Sequence, residues 1–242
     1  LLSALERADQ DLRTFESLIQ YTRVAGDLQG GDQHVRRGRL WFASEPPADP
    51  AARARRRFEV SFTELIFDGR KRDDVEEWIF DGLWLVERRP TDKQFIKRRV
   101  IKPGEDKDPL RIGEGPFPIP VGQKKADVLA RFDAALVDPL DALQQNESLR
   151  KLLSETYQLR LTPRDGVVQT RDFREVRLWY QRKDLLPIFA VATNTDGSRS
   201  EVFLLKQVKN GPIGPERFRT DEPRPEDGWV VQIEDFRPDG PA

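Results

Sequence analysis

The chain has 242 residues, with 41 Lys and Arg against 42 Asp and Glu, for a net charge of -1. That balance argues against a non-specific nucleic-acid binder, which carries a basic excess, while 14 Phe, 5 Trp and 3 Tyr are too many for a disordered chain. With no cysteine, disulfides, thiolate nucleophiles and zinc ribbons are excluded together.

The length fits one large β-rich domain spanning residues 1–242. Charged residues are 34% of the chain and mean hydropathy is -0.67, so a highly soluble protein is expected. No stretch reaches the roughly 20 apolar residues that span a bilayer. The chain carries no methionine, so removal of an initiator, and of an export signal with it, is expected.

Leu1, Leu5, Ala8, Leu12 and Phe15 recur at helical spacing, which predicts an amphipathic helix over residues 1–15. Ser3 and Glu6 have the spacing of a capping box. The narrow apolar stripe suits either a helix packed on a core or a lid over a cavity. Residues 15–25 and 34–43 then read as a hairpin, with Trp41 and Phe42 ending its second strand. A basic run from Arg53 to Arg57 leads into Phe58, Val60 and Phe62, which alternate with polar residues. Trp78, Phe80, Trp84 and Val86 flank Asp81-Gly82, a two-residue hairpin signal. Phe95, Lys97, Arg99 and Ile101 alternate in the next piece.

Prolines at 116, 118 and 120 make an extended segment that carries Phe117, Ile119 and Val121. Helical spacing follows at Val128, Leu129 and Phe132, then a short strand to Val137 and a helical insertion through Leu153, a central helical segment over residues 123–153. Strands return at Tyr157 to Thr162, Phe173 to Tyr180, Leu186 to Thr193, Glu201 to Val208 and around Val231. The total is nine to eleven strands and two or three helices, an α+β chain that is mainly antiparallel β.

Candidates for catalysis are few. His34 is the only imidazole and no G-x-S-x-G is present, so a hydrolase would have to use His34 as its base. Asp73, Asp74, Glu76 and Glu77 stand beside Arg70 to Arg72, the composition of a solvated, charge-laced turn. No phosphate-cradling glycine motif occurs. The clusters at residues 53–57 and 97–99 suit a mixed soluble surface, single-stranded nucleic acid, anionic lipid or an acidic partner. What remains is a set of aromatic strand faces needing cover; any gap beneath the helices would be an apolar pocket.

The order of several short motifs resembles the outer-membrane lipoprotein carrier family, the LolA/LolB-like periplasmic proteins. Gly38-Arg39-Leu40-Trp41 is similar to the family's G-x-L-W, and Phe80-Asp81-Gly82-Leu83-Trp84 to its D-G hairpin. Gly115-Pro116-Phe117 is similar to the segment before the central helix. Tyr157 to Pro163 matches an L-x-L-T-P strand, and Asp196 to Ser200 with Phe218 and Pro223 completes the series. The carriers follow L-W with two residues and then an arginine that helps hold the lid shut; at that place this chain has Ser44.

The resemblance implies a curved, open half-barrel whose concave face is covered by helices and encloses a cavity for acyl chains of lipoproteins or lipids. It implies a non-catalytic carrier with no cofactor, periplasmic and monomeric, loaded or received by inner- or outer-membrane proteins. Cavity candidates are Phe15, Trp41, Phe58, Phe62, Trp78, Phe80, Trp84, Phe117, Ile119, Leu129 and Phe132, with Leu5 and Leu12 as the lid. Burying a chain of about 15 methylenes is worth roughly 12 kcal/mol, so a lid that competes for the same surface gives such a carrier a way to release. An envelope sensor or scaffold of the same fold, binding a protein partner, is the alternative.

Overall fold

In the computed structural model, which describes residues 1–26, 33–46, 54–102, 112, 117, 121, 123–143 and 146–236, alternation of apolar and polar residues builds twelve strands. Six come first after the helix α1 (Leu2–Gln10): β1 (Thr14–Val24), β2 (Gln33–Glu45), β3 (Arg55–Phe67), β4 (Arg70–Phe80), β5 (Trp84–Arg89) and β6 (Gln94–Arg99). Next are α2 (Lys125–Arg131), β7 (Phe132–Val137), α3 (Glu147–Leu153), β8 (Thr156–Pro163), β9 (Phe173–Gln181), β10 (Pro187–Asn194) and β11 (Arg199–Lys209). Short 3₁₀ turns at Pro215–Phe218 and Pro225–Asp227 precede β12 (Val230–Glu234).

The strands form one sheet in the order β12-β6-β5-β4-β3-β2-β1-β11-β10-β9-β8-β7. Among the described residues its two ends are not paired with each other, so the sheet is open, as the resemblance implies. Two meanders account for the order: β1 to β6 run outward one way, and β7 to β11 return to lie beside β1. The ladders between β3 and β6 and between β7 and β11 are antiparallel, whereas β12 is parallel to β6. Twelve strands stand against the nine to eleven expected, and the turn that joins β3 to β4 lies at Asp68-Gly69. Both residues have positive φ there, the conformation a tight β3–β4 hairpin needs.

The chain divides into two compact units. Unit 1 comprises residues 1–11, 20–35 and 109–205; unit 2 comprises 12–19, 36–108 and 206–242. In unit 1, Leu159, Leu178 and Ala190 stand opposite one another across β8, β9 and β10, and Leu161, Val176 and Ala192 do the same two residues on, giving one buried apolar face. The opposite face has its own layer, in which Trp179, Phe189 and Val191 pack against Leu143 and Leu153 of the 138–153 insertion. The Trp179 ring N–H donates to the Pro139 carbonyl at 2.8 Å and fastens that insertion down.

In unit 2, pairing of Phe58 with Phe80 and Val60 with Trp78 assembles an aromatic face, and Phe58 and Phe80 lie 5.7 Å apart, ring to ring. Ile79, Val86 and Phe95 cluster on the reverse face with Trp229.

Three local expectations change. The first helix stops at Gln10, and Leu12 and Phe15 lie beyond it, because β1 begins at Thr14. No capping box forms: the helix N-cap is Leu1 and no side chain caps it. The strand that carries Phe58, Val60 and Phe62 opens earlier, at Arg55, so Arg55 to Arg57 belong to β3. The Asp81 turn forms as read, with Asp81 Oδ1 accepting from the backbone N–H of Leu83 and Trp84, each at 2.8 Å.

Gly38, in the G-x-L-W segment, has a structural reason to lack a side chain. A Cβ there would lie deep inside the van der Waals radius of the Ser61 carbonyl oxygen on β3. Gly38→Ala is therefore expected to lower the unfolding free energy by about 2–4 kcal/mol, measured by urea denaturation with the denaturant slope unchanged.

Candidate functional site

The aromatic face of unit 2 is built by register. Residues directly opposite in an antiparallel pair share a face, so Phe58, Val60 and Phe62 stand with Phe80, Trp78 and Glu76, and Phe80 stands with Leu85. Phe58, Phe62 and Phe80 are all buried, Phe62 with 0% exposure. Phe15 of β1 is also at 0%, whereas Trp78 is half-buried.

Trp84 belongs elsewhere. It pairs with Arg99 on the reverse face, in the row of Val86 and Lys97, and its indole is flanked by the Lys97 and Arg99 cations. Trp41 is likewise separated from Leu40 and Phe42 by strand alternation and packs with Ala43, Ile213 and Phe218.

In unit 1, Phe132 is fully buried, Phe117 and Leu5 are buried, and Leu129 is half-buried. Phe117 meets Tyr21 edge to face at 5.3 Å. Ile119 lies outside the described residues, as do Gly115 and Pro116. Helix α1 packs against α2. A shallow depression of about 580 Å³ joins its Leu1 and Ala4 to Leu136, Tyr157 and Leu185. Burial, aided by the charge of Asp9, pushes the Tyr180 phenol above its usual range. Leu12, the other lid candidate, is buried in unit 2.

The acidic run read as a solvated turn is not one. β4 carries Glu76 into the sheet, where it is 6% exposed and accepts from the Trp78 indole N–H at 2.7 Å. Arg36 reaches Glu76 at 2.9 Å and Asp74 at 3.2 Å, and Arg89 lies between Glu76 and Glu87. Arg98 continues the chain of ion pairs to Glu234 at 3.0 Å. Thus the aromatic face ends in a charged row that crosses β4, β5, β6 and β12. The basic cluster at 97–99 is engaged in the same way, Lys97 with Glu222 and Arg99 with Asp235.

Two further features escaped the sequence reading. Glu59 alternates with Phe58 and Val60, which marks it as solvent-facing, yet the 3₁₀ turn at Pro215–Phe218 folds over it. Arg217 stacks 3.8 Å from the Trp41 ring centre and lies 3.6 Å from Glu59. Burial, with a smaller push from Glu77, raises the Glu59 carboxyl to about 7 against the opposing pull of Arg217 and Arg88. Beside it, Trp41, Arg39, Glu16, Ile213 and Arg217 line a cleft of about 410 Å³.

The second feature is a pocket of about 220 Å³ lined by Leu143 and Leu149 of the 138–153 insertion and by Trp179, Phe189, Arg177 and Arg199 of the sheet. Arg177 is held by Glu175, Asp141 and Gln158, and its hydrogen bond keeps the Asp141 carboxyl below the usual range. Among the described residues no cluster of His, Asp and Glu could hold a metal ion. No helix among them is long and apolar enough to cross a membrane.

The class defined by these observations is an open, mainly antiparallel sheet with a buried apolar face and three α-helices. Solved structures similar to this chain include an uncharacterized conserved protein from Thermus thermophilus, at 12% identity over 97% of this chain and 98% of that one, TM-score 0.48. They include a LolA superfamily protein from Nitrosomonas europaea, at 14% identity over 90% and 96%, TM-score 0.36. The Pseudomonas aeruginosa MucA/MucB complex matches at 15% identity over 90% of this chain, which spans 59% of the matched chain, TM-score 0.41. No protein-family model matches the sequence, and no curated protein matches it.

The Glu59 carboxyl gives a signed pH dependence. Between its ordinary value near 4.5 and its folded value of about 7, the folded protein holds a proton that the unfolded chain has lost. Unfolding releases that proton, so this group's contribution to stability falls as pH rises through the window. Glu59→Gln, which mimics the protonated form, is expected to match the wild type at pH 5 and to gain melting temperature relative to it up to pH 8.

Proposed function

We propose that this protein is a non-catalytic periplasmic carrier that takes up acyl chains of lipoproteins or lipids against its apolar sheet faces. The carrying observation is the register that gathers Phe58, Val60, Phe62, Trp78, Phe80 and Leu85 on one face of unit 2. The ordered motifs shared with the lipoprotein carriers support it. Unit 1 offers Leu129 and Phe132 and the face around Leu159 and Leu178, with Leu5 of α1 as the lid contact.

The burial of these rings sets the mechanism. With Phe15, Phe62 and Phe132 at 0% exposure, a hydrocarbon tail reaches them only by displacing what covers them. Ligand and cover therefore compete for the same apolar surface, and the closed form is the unloaded one. Removing a buried leucine side chain costs about 2–5 kcal/mol. Weakening the lid should thus tighten ligand binding, the reverse of what general damage to a site does.

The same complete burial favours a second reading, a scaffold of this fold whose interior is filled by its own side chains and whose outer surface binds a protein.

Titration of a fluorescent fatty acid into delipidated protein separates the two. The expected result is saturable one-to-one binding with quenching of tryptophan fluorescence, tightened about tenfold by Leu5→Ala if ~1.4 kcal/mol of lid docking is lost. No uptake, together with no co-purifying lipid in native mass spectrometry, would overturn the carrier reading.

A further inference from the structure

We propose that β12 is a self-complementary docking strand, which pairs antiparallel with β12 of a second copy of this chain. β12 is the end strand of the sheet, and among the described residues no strand lies beyond it. All five of its residues are exposed, with Val230 at 69% and Ile233 at 49%, an unusual concentration of β-branched residues on an uncovered edge. Native edges are ordinarily blunted with charge, proline or a bulge, because a row of free backbone groups recruits another strand.

The hydrogen-bonding parity of β12 shows which groups are available. The Val230 N–H donates to the Lys93 carbonyl at 2.8 Å, and the parallel register runs Val230 to Gln94 through Glu234 to Arg98. Val230, Gln232 and Glu234 therefore spend their backbone groups on β6. Val231 and Ile233 direct theirs outward. In antiparallel pairing, reciprocal bonds form between residues whose groups both point at the partner. A two-fold axis through Gln232 meets this condition: Val231 faces the second copy's Ile233 in a bonded pair, and Ile233 faces its Val231.

Side chains choose the same axis. Centred on Gln232, the apolar pair lies on one face, Val230 opposes Glu234, and Trp229 opposes Asp235, so no acid meets an acid. Moving the axis to Val231 sets Asp235 against Asp227, and moving it to Ile233 sets Val231 against Asp235. Like charges directly opposite are destabilising. Glu234 and Asp235 are in addition neutralised from within the same copy by Arg98 and Arg99. A two-fold contact of this kind closes on itself and yields a dimer, not a fibre.

Because a single strand pair is a small interface, a dissociation constant of roughly 10–100 µM is expected. In sedimentation equilibrium the mass should rise with concentration from 28.0 kDa toward twice that value. Ile233→Lys and Val231→Pro should each hold it at 28.0 kDa with an unchanged circular dichroism spectrum; the proline removes only an outward N–H.

Gln232→Cys, in a chain with no other cysteine, should oxidise to a disulfide dimer across the axis at least ten times faster than Val230→Cys. A mass that stays at 28.0 kDa up to about 500 µM, well above that range, would overturn the proposal. So would a dimer that survives both variants, or a monomer whose edge takes up an added extended peptide instead of a second copy.

Discussion

Every strand in a sheet has two faces, and slipping its register by one residue exchanges them. In unit 2 the pairing of Phe58 with Phe80, and of Phe80 with Leu85, settles that choice for three consecutive strands. It commits a band of aromatic rings to one side and leaves Glu59, Ile79 and Trp84 on the other. The burial of the rings, the charged row that ends the band and the separate layer built over Glu59 all follow from this pairing. Unit 1 repeats the principle, with Leu159, Leu178 and Ala190 on one side and Trp179, Phe189 and Val191 on the other.

Both faces of the sheet are therefore in use. An antiparallel sheet commonly buries one face and leaves the other to solvent. Here the 138–153 insertion covers the reverse face in unit 1, and the segment from Pro212 to Phe218 covers it in unit 2. These covers explain how so highly charged a chain supports a core of this size. Arginine guanidinium groups lie over aromatic rings and also meet carboxylates, as that of Arg217 does between Trp41 and Glu59.

Polar groups are buried where the ion-pair row crosses the sheet. Glu76 lies at its centre, accepting from the Trp78 indole through one oxygen and ion-paired with the Arg36 guanidinium through the other. Removing one member would leave an uncompensated charge, so such a row specifies register more than it adds stability. It also bounds the aromatic band, giving that face a greasy end and a charged end. An amphipathic molecule with an acyl tail has the same polarity.

Much of the secondary structure was legible from spacing alone. The strands at Phe58 to Phe62 and Tyr157 to Thr162 show period-two alternation, and the aspartate-glycine turns at 81, 165 and 196 each carry a left-handed glycine. Local chemistry determined these features, because alternation and positive φ are properties of a few adjacent residues. Which face of each strand turned inward was decided by tertiary pairing, since nothing in the alternation of Trp78, Phe80 and Trp84 distinguishes the first two from the third. The burial of Glu59 and Glu76 was decided in the same way: their partners Arg217, Arg36 and Arg89 are remote in sequence, and only folding brings the compensating charges within reach.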